Sequence, residues 1–300
     1  MDKIQLAPQL EVSRIIHGHW RLLDWGLSDK ELTNFIEKLM AHGVTTFDHA
    51  DIYGDYACEE VFGKALKLNR GLREDMQIIT KCGIKLMSDK YPDRKVKSYD
   101  YSYTHIVNSA EQSLKKLNTD YIDLLLLHRP SPLFDPSEVA KAFGDLKQSG
   151  KVRYFGVSNF NPSQFEMLQS YLDEKLLTNQ VEISPLNIAA FEDGTVEGAL
   201  KHRIKPMAWS PLAGGKLFNP ANVHEAEVQK TIVSIAEEMG AKGIDQVVYS
   251  WLLKHPAGIL PIVGSGKIER LQNAVEAPSL KMTDEQWYRI FIAAKGEELP

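Results

Sequence analysis

YIDLLLLH (residues 121–128) reads as a β-strand without a polar face, and it stops on a histidine. Such a strand belongs in a parallel sheet covered by helices on both sides. Two other apolar runs end in a similar way: VTTFD (44–48) stops on Asp48 and MQIITK (76–81) on Lys81, while Tyr53 follows Asp48 by five residues. A buried strand gains nothing in packing by finishing on a charge or an imidazole. Polar strand ends of this kind mark the C-terminal mouth of a (β/α)8 barrel, where such enzymes place their chemistry. Asp48, Tyr53, Lys81 and His128 are therefore the candidate catalytic residues.

Outward from these runs, β-branched segments alternate with amphipathic ones along the whole chain. RIIHGHW (14–20), VTTFD (44–48), MQIIT (76–80), YIDLLLLH (121–128), VRYFGVS (152–158), LLTNQVEIS (176–184), IKPMAWS (204–210) and GILPIVG (258–264) are the eight expected strands. Helical spacing of Leu32, Phe35, Ile36, Leu39 and Met40, stopped by Gly43, typifies the segments between them. NPSQFEMLQSYL opens with an Asn cap and a first-turn proline, a strong helix start. IQLA and LEVS around Pro8 predict a short N-terminal hairpin, and KIERLQNAVEA and TDEQWYRIFIAAK supply extra C-terminal helices. Residues 84–101 read as a long charged loop. The expected fold is a TIM barrel. A Rossmann sheet is the alternative, but no strand is followed by GxGxxG or by GxxxxGK[ST].

The 300 residues contain no linker or composition break, so one domain over residues 1–300 is expected. A net charge of −5 gives no support for nucleic acid as a partner, although the Lys85–Lys97 stretch is locally basic. The two cysteines, Cys58 and Cys82, lack the spacing of a zinc site. No HExxH pattern or compact histidine group suggests any other metal. No run approaches the ~20 apolar residues of a membrane span, and MDKIQLAPQLEVS is not a secretory leader, so a cytoplasmic protein is expected.

The side chains suggest what the barrel mouth does. A tyrosine is a poor acid at neutral pH, and a lysine ammonium beside Tyr53 is expected to lower its pKa, with Asp48 fixing that lysine. His128 can orient a carbonyl oxygen. Arg129 serves either as a salt-bridge residue or as a contact for an anionic substrate. After VRYFGVS, Ser158 and Asn159 are available to a ligand amide because Asn161 already caps the next helix. Gln180 lies inside a strand and needs a partner if buried. Trp209 is either core or a platform for a flat heterocycle. SGKIER (265–270) offers Ser265, Lys267 and Arg270 at the start of a helix, a setting suited to phosphate.

Taken together, these motifs resemble the aldo-keto reductase superfamily over nearly the whole chain. GVTTFDHADIYG carries Asp48 and Tyr53 in the catalytic positions, ITKCG carries Lys81, and LLLLHRP carries His128. GKVRYFGVSNF, QVEISPLN, MAWSPLAGG and PIVGSGKIERL resemble the successive cofactor-site segments. The resemblance implies NADP(H)-dependent reduction of a small-molecule aldehyde or ketone on a barrel without metal, in a monomer. It places Ser158, Asn159 and Gln180 on the nicotinamide carboxamide and Trp209 against the ring. Ser210 and Leu212 fall near the pyrophosphate, and Ser265 and Arg270 at the adenosine phosphate. Asn273 takes the first place of the acidic-or-amide then Asn pair expected at the adenine side of the cofactor, but two positions depart from the family pattern: Gly264 stands where a lysine is common, and Ala274 follows Asn273. Trp20 and Trp25 are expected in the substrate pocket. Two other readings of the same residues exist: a cofactor-sensing partner protein built on a reductase fold, and a Schiff-base aldolase using Lys81.

Overall fold

The computed structural model describes residues 2–300. Strands β1 (Lys3–Ala7) and β2 (Leu10–Ser13) form the expected antiparallel hairpin, with Ile4 opposite Val12. The Ser13 N–H donates to Thr46 Oγ1 at 2.9 Å, at the start of a barrel strand, so the hairpin closes the N-terminal end of the barrel. Leu10 and Val12 pack there against Ile79, Leu124, Leu126 and Leu260 inside the barrel. The opposite end is thereby left as the open mouth.

The remaining strands are β3 (Ile16–Gly18), β4 (Thr46–Asp48), β5 (Gln77–Cys82), β6 (Ile84–Lys85), β7 (Ser98–Tyr99), β8 (Ile122–Leu127), β9 (Val152–Ser158), β10 (Leu176–Glu182), β11 (Met207–Trp209) and β12 (Leu260–Val263). All but β6 and β7 pair in parallel, and β12 meets β3 to close an eight-stranded barrel with Ile262 opposite Ile16. Every residue of β8 is buried. Its one charge, Asp123, is paired with Arg73 at 2.8 Å and accepts the Ile78 N–H, which offsets the cost of burial.

The helices are α1 (Asp29–Ala41), α2 (Tyr53–Tyr56), α3 (Cys58–Leu68), α4 (Leu72–Asp75), α5 (Tyr103–Leu117), α6 (Pro136–Gln148), α7 (Pro162–Gln169), α8 (Thr195–His202), α9 (Val223–Met239), α10 (Ile244–Lys254), α11 (Ile268–Glu276) and α12 (Asp284–Lys295). Capping boxes start three of them: Ser28 with Glu31 for α1, Asn161 with Gln164 for α7 and Thr283 with Gln286 for α12. Each box satisfies two backbone donors that the helix itself cannot. No helix among the described residues is long and apolar enough to cross a membrane.

Most strands are shorter than the apolar runs suggest, β5 and β9 excepted. Arg14 lies outside β3 because its guanidinium staples the carbonyls of Leu253, Gly258 and Ile259. β11 begins only after Pro206, which has no N–H to give a ladder. The charged loop at 84–101 also carries structure: β6 and β7 pair antiparallel over the mouth, with Ile84 opposite Tyr99.

Candidate active site

Asp48 is the last residue of β4, and His128 directly follows β8. Lys81 lies inside β5, one residue before its end, rather than after the strand as its place in MQIITK suggests. Its ammonium therefore points into the barrel and is wholly buried. Nζ donates to both Asp48 oxygens at 2.8 and 2.7 Å, to the His49 carbonyl at 2.8 Å and to Tyr53 Oη at 3.0 Å. Tyr53 begins α2, which is a tight turn: Gly54, Asp55 and Tyr56 all have positive φ. A Cβ on Gly54 would stand 2.6 Å from both Leu23 Cδ1 and Cys58 Sγ, so only glycine lets the turn seat Tyr53 over Lys81. The His128 ring stands edge-on to Tyr53, with centroids 5.9 Å apart.

Burial governs the charges here. It would depress the Lys81 pKa, but the Asp48 carboxylate and the Tyr53 oxygen outweigh it and the net direction is upward, so the amine stays charged. A cationic Lys81 is no Schiff-base nucleophile. For Tyr53, Lys81 acts in the expected direction but burial outweighs it. Burial raises its pKa above 10.0 and Lys81 only partly counters this. His128 is pushed well below 6.5 by burial, then by Lys81, Arg129 and Lys97, and is a neutral imidazole.

Asp48, Tyr53 and His128 line a cavity of about 800 Å³ at the barrel mouth, with the buried Lys81 behind them. Ser158, Asn159, Gln180, Trp209, Ser210, Leu212, Ser265 and Arg270 line its walls, as do Trp20 and Arg129. Ser158 Oγ donates to the Gln180 carbonyl at 2.8 Å and accepts from Asn159 Nδ2 at 2.7 Å, while Trp209 Nε1 donates to Asn159 Oδ1 at 3.1 Å. Asn159 and Ser210 both hold positive φ, local strain concentrated at the cavity wall. This donor set fits a nicotinamide cofactor. Gln180 Oε1 accepts no hydrogen bond among the described residues and can take an amide N–H. Arg270 lines the wall beside Ser265 without an internal ion pair, ready for a phosphate.

Three candidates lie elsewhere. Trp25 is not on the cavity wall: it packs against His17, His19 and Phe35, and a Cβ on Gly266 would touch its ring at 2.6 Å. Lys267 is exposed at the start of α11, and its backbone N–H donates to Ser265 Oγ at 3.2 Å. Asn273 does not line the cavity because Nδ2 is held by both oxygens of Asp245 at 3.3 and 3.0 Å. Conversely, Arg21, Lys97, Asp55 and Phe218 line the cavity without having been singled out. Lys97 sits in the basic stretch noted above, and Phe218 in the loop 212–222, which by resemblance is expected to shape specificity; for Arg21 and Asp55, composition carries no signal.

Among the described residues, no group of three or more His, Cys, Asp or Glu side chains is placed to hold a metal ion. His17, His19 and His49 form a buried aromatic cluster below the mouth, with His19 stacked on His49 at 4.5 Å. All three are driven toward the neutral form, His17 to about 4.

Comparison with known proteins agrees with this geometry. The sequence model of the aldo/keto reductase family matches residues 14–294. The chain is 54% identical to the uncharacterized oxidoreductase YcsN of Bacillus subtilis strain 168, over 100% of both chains. It is 41% identical to a 6-dehydroglucose reductase of Agrobacterium fabrum, again over 100% of both. A crystal structure of the thermostable aldo-keto reductase Tm1743, in complex with the inhibitor epalrestat, superposes with a TM-score of 0.80 at 27% identity, covering 98% of this chain and 100% of that one. With the lysine-centred tetrad at the mouth of a closed parallel barrel, these matches establish that the chain belongs to the aldo/keto reductase family.

Proposed function

We propose that this protein reduces an aldehyde or ketone to the alcohol at the expense of NADPH, with Tyr53 as general acid. The observation that carries this reading is Lys81 Nζ bonded at once to Asp48 and to Tyr53 Oη, 3.0 Å away, at the wall of the cavity. The nicotinamide, when bound, supplies the hydride. Tyr53 gives its phenolic proton to the carbonyl oxygen as negative charge builds there. Its raised pKa keeps the proton in place at neutral pH, and the adjacent ammonium of Lys81 stabilises the phenolate left behind. Asp48 holds Lys81 charged and in place. His128, being neutral, offers an N–H to the carbonyl oxygen without adding a full charge.

Ser158, Asn159 and Gln180 would hold the carboxamide, and Trp209 would lie against the ring. Ser210 and Leu212 would border the pyrophosphate, and Ser265 and Arg270 the adenosine phosphate. Lys267 and Asn273 have no place in this set. Trp20 and Arg129 would contact substrate. We assign the protein to the cytoplasm, as a monomer with one barrel domain. Its two cysteines are free thiols, in keeping with a reducing compartment.

NADPH and NADH oxidation against a panel of aldehydes, diketones, quinones and oxidised sugars tests the reading. The sugars belong in the panel because one relative is a 6-dehydroglucose reductase. NADPH-dependent turnover is expected. Tight NADPH binding without turnover on any member overturns it.

A further inference from the structure

We infer that the substrate carries an anionic group besides its carbonyl, recognised by Lys97 and Arg129; this deepens the reductase reading and rests on it. Four cations line the cavity, Arg21, Lys97, Arg129 and Arg270, against two carboxylates, Asp48 and Asp55. Asp48 is consumed by Lys81 and Gln180, and Asp55 stands 3.8 Å from Lys90. In a chain with net charge −5, this wall runs against the average. None of the four cations has an ion pair with another described residue.

The four divide between two walls. Arg270 lies in α11 beyond Ser265, and Arg21 Nη2 is 3.9 Å from the Cβ position of Gly214, in the segment that follows Ser210. Both therefore belong with the phosphates of the cofactor. Lys97 and Arg129 belong with the tetrad. Arg129 directly follows His128, and both cations act on the His128 imidazole.

The position of Arg129 is built, not incidental. Its N–H donates to Tyr101 Oη at 3.0 Å, and its carbonyl accepts from the same hydroxyl. Tyr101 is buried and lies four residues beyond Lys97, just past β7. One buried tyrosine thus ties the Lys97 segment to the backbone of Arg129. The guanidinium meanwhile rests 5.6 Å from the centre of the Trp209 ring with no internal acceptor. A neutral ligand entering here would strip water from two unpaired cations and return nothing; an anion offsets that cost. The planar fork of arginine suits a carboxylate or a phosphate ester.

The test is kcat/KM with NADPH on matched pairs: para-carboxybenzaldehyde against its methyl ester, and glycolaldehyde phosphate against glycolaldehyde. The wild type is compared with Arg129→Gln and Lys97→Gln. The charged member should be preferred by about tenfold or more. Each variant should cut that preference, chiefly through KM, and added salt should erode the Lys97 share first because that side chain is exposed. The pair with the larger ratio identifies carboxylate or phosphate as the recognised group. Preference at or below unity in both pairs, or equal losses on charged and neutral members, overturns the inference and leaves the reductase reading standing. No turnover of any of the four overturns both.

Discussion

Gln180 Nε2 donates to Asp48 Oδ1 at 2.8 Å, across the full width of the barrel. β10 and β4 stand four places apart in the ring of eight strands. The amide assigned to the nicotinamide and the carboxylate that fixes Lys81 are therefore one hydrogen-bonded unit. Gln180→Leu should raise the KM for NADPH and also lower kcat by about tenfold, since Asp48 loses a buried donor. Steady-state kinetics with both substrates varied would measure this. An unchanged kcat would show that the bond does not reach the catalytic group.

Tyr53→Phe keeps the ring and removes the proton. Turnover should fall by roughly a hundred- to ten-thousand-fold, the usual worth of a positioned general acid. NADPH affinity, measured by fluorescence titration, should change little. A variant that retains activity would assign the proton to another group.

The pKa directions fix the shape of the pH profile. His128 is neutral well below 6.5, so no activity should be lost to its protonation between pH 8 and 6.5. Tyr53 holds its proton beyond 10.0, so an alkaline limb due to the acid should begin only above that value. Profiles of kcat/KM on a neutral aldehyde would check both limbs. A limb centred near 7 in the wild type would contradict the burial argument for one of the two.

The fold and the tetrad were legible in sequence for one physical reason. Burial on two faces leaves no polar positions in a strand, so the polar residue that ends VTTFD or YIDLLLLH announces the mouth. VRYFGVS matches β9 residue for residue. Boundaries elsewhere were not legible: the staple from Arg14 and the missing N–H of Pro206 act through tertiary contacts or single atoms, not through periodicity. Trp25 and Asn273 were misplaced because an aromatic or an amide near a site motif looks the same in sequence whether it faces the cavity or a neighbouring side chain. The sign of the Tyr53 shift depends on burial, which linear spacing does not contain.

Behind the tetrad lies a buried acid, Glu59, which accepts from Thr80 Oγ1 at 2.6 Å and Ser113 Oγ at 3.1 Å. Burial raises its pKa above 4.5 despite those bonds, and Asp51 is raised well above 3.8 by burial and then by Glu59. A raised carboxyl keeps its proton in the folded state while the unfolded chain has lost it. Stability from this source is therefore lost as pH rises from about 4.5 to the folded-state value, with a slope of at most ~1.4 kcal/mol per pH unit. Glu59→Gln preserves the carbonyl acceptor and removes the titration. Its stability relative to wild type should improve steadily with pH across that window, as followed by urea unfolding at several pH values. A difference independent of pH would mean that Glu59 is not protonated in the folded protein.

Gly266 separates cofactor binding from chemistry. Its Cβ position lies 2.6 Å from Trp25 Cγ, and the indole is wedged between His17, His19 and Phe35, so it cannot retreat. Gly266→Ala must therefore move its own loop, which carries Ser265 on one side and leads through Lys267 to Arg270. The hydrogen bonds of Asp48, Tyr53 and Lys81 run to one another, to the His49 carbonyl and to Gln180, not to this loop. The KM for NADPH should rise about tenfold or more, while kcat at saturating NADPH stays within a few-fold of wild type. Because the displaced groups are the ones assigned above to the adenosine phosphate, NADH should lose less than NADPH, and the ratio of the two KM values separates a phosphate effect from general loosening. A parallel fall in kcat with both cofactors would show instead that Trp25 transmits the strain through His17 and His19 to β3 and the barrel mouth.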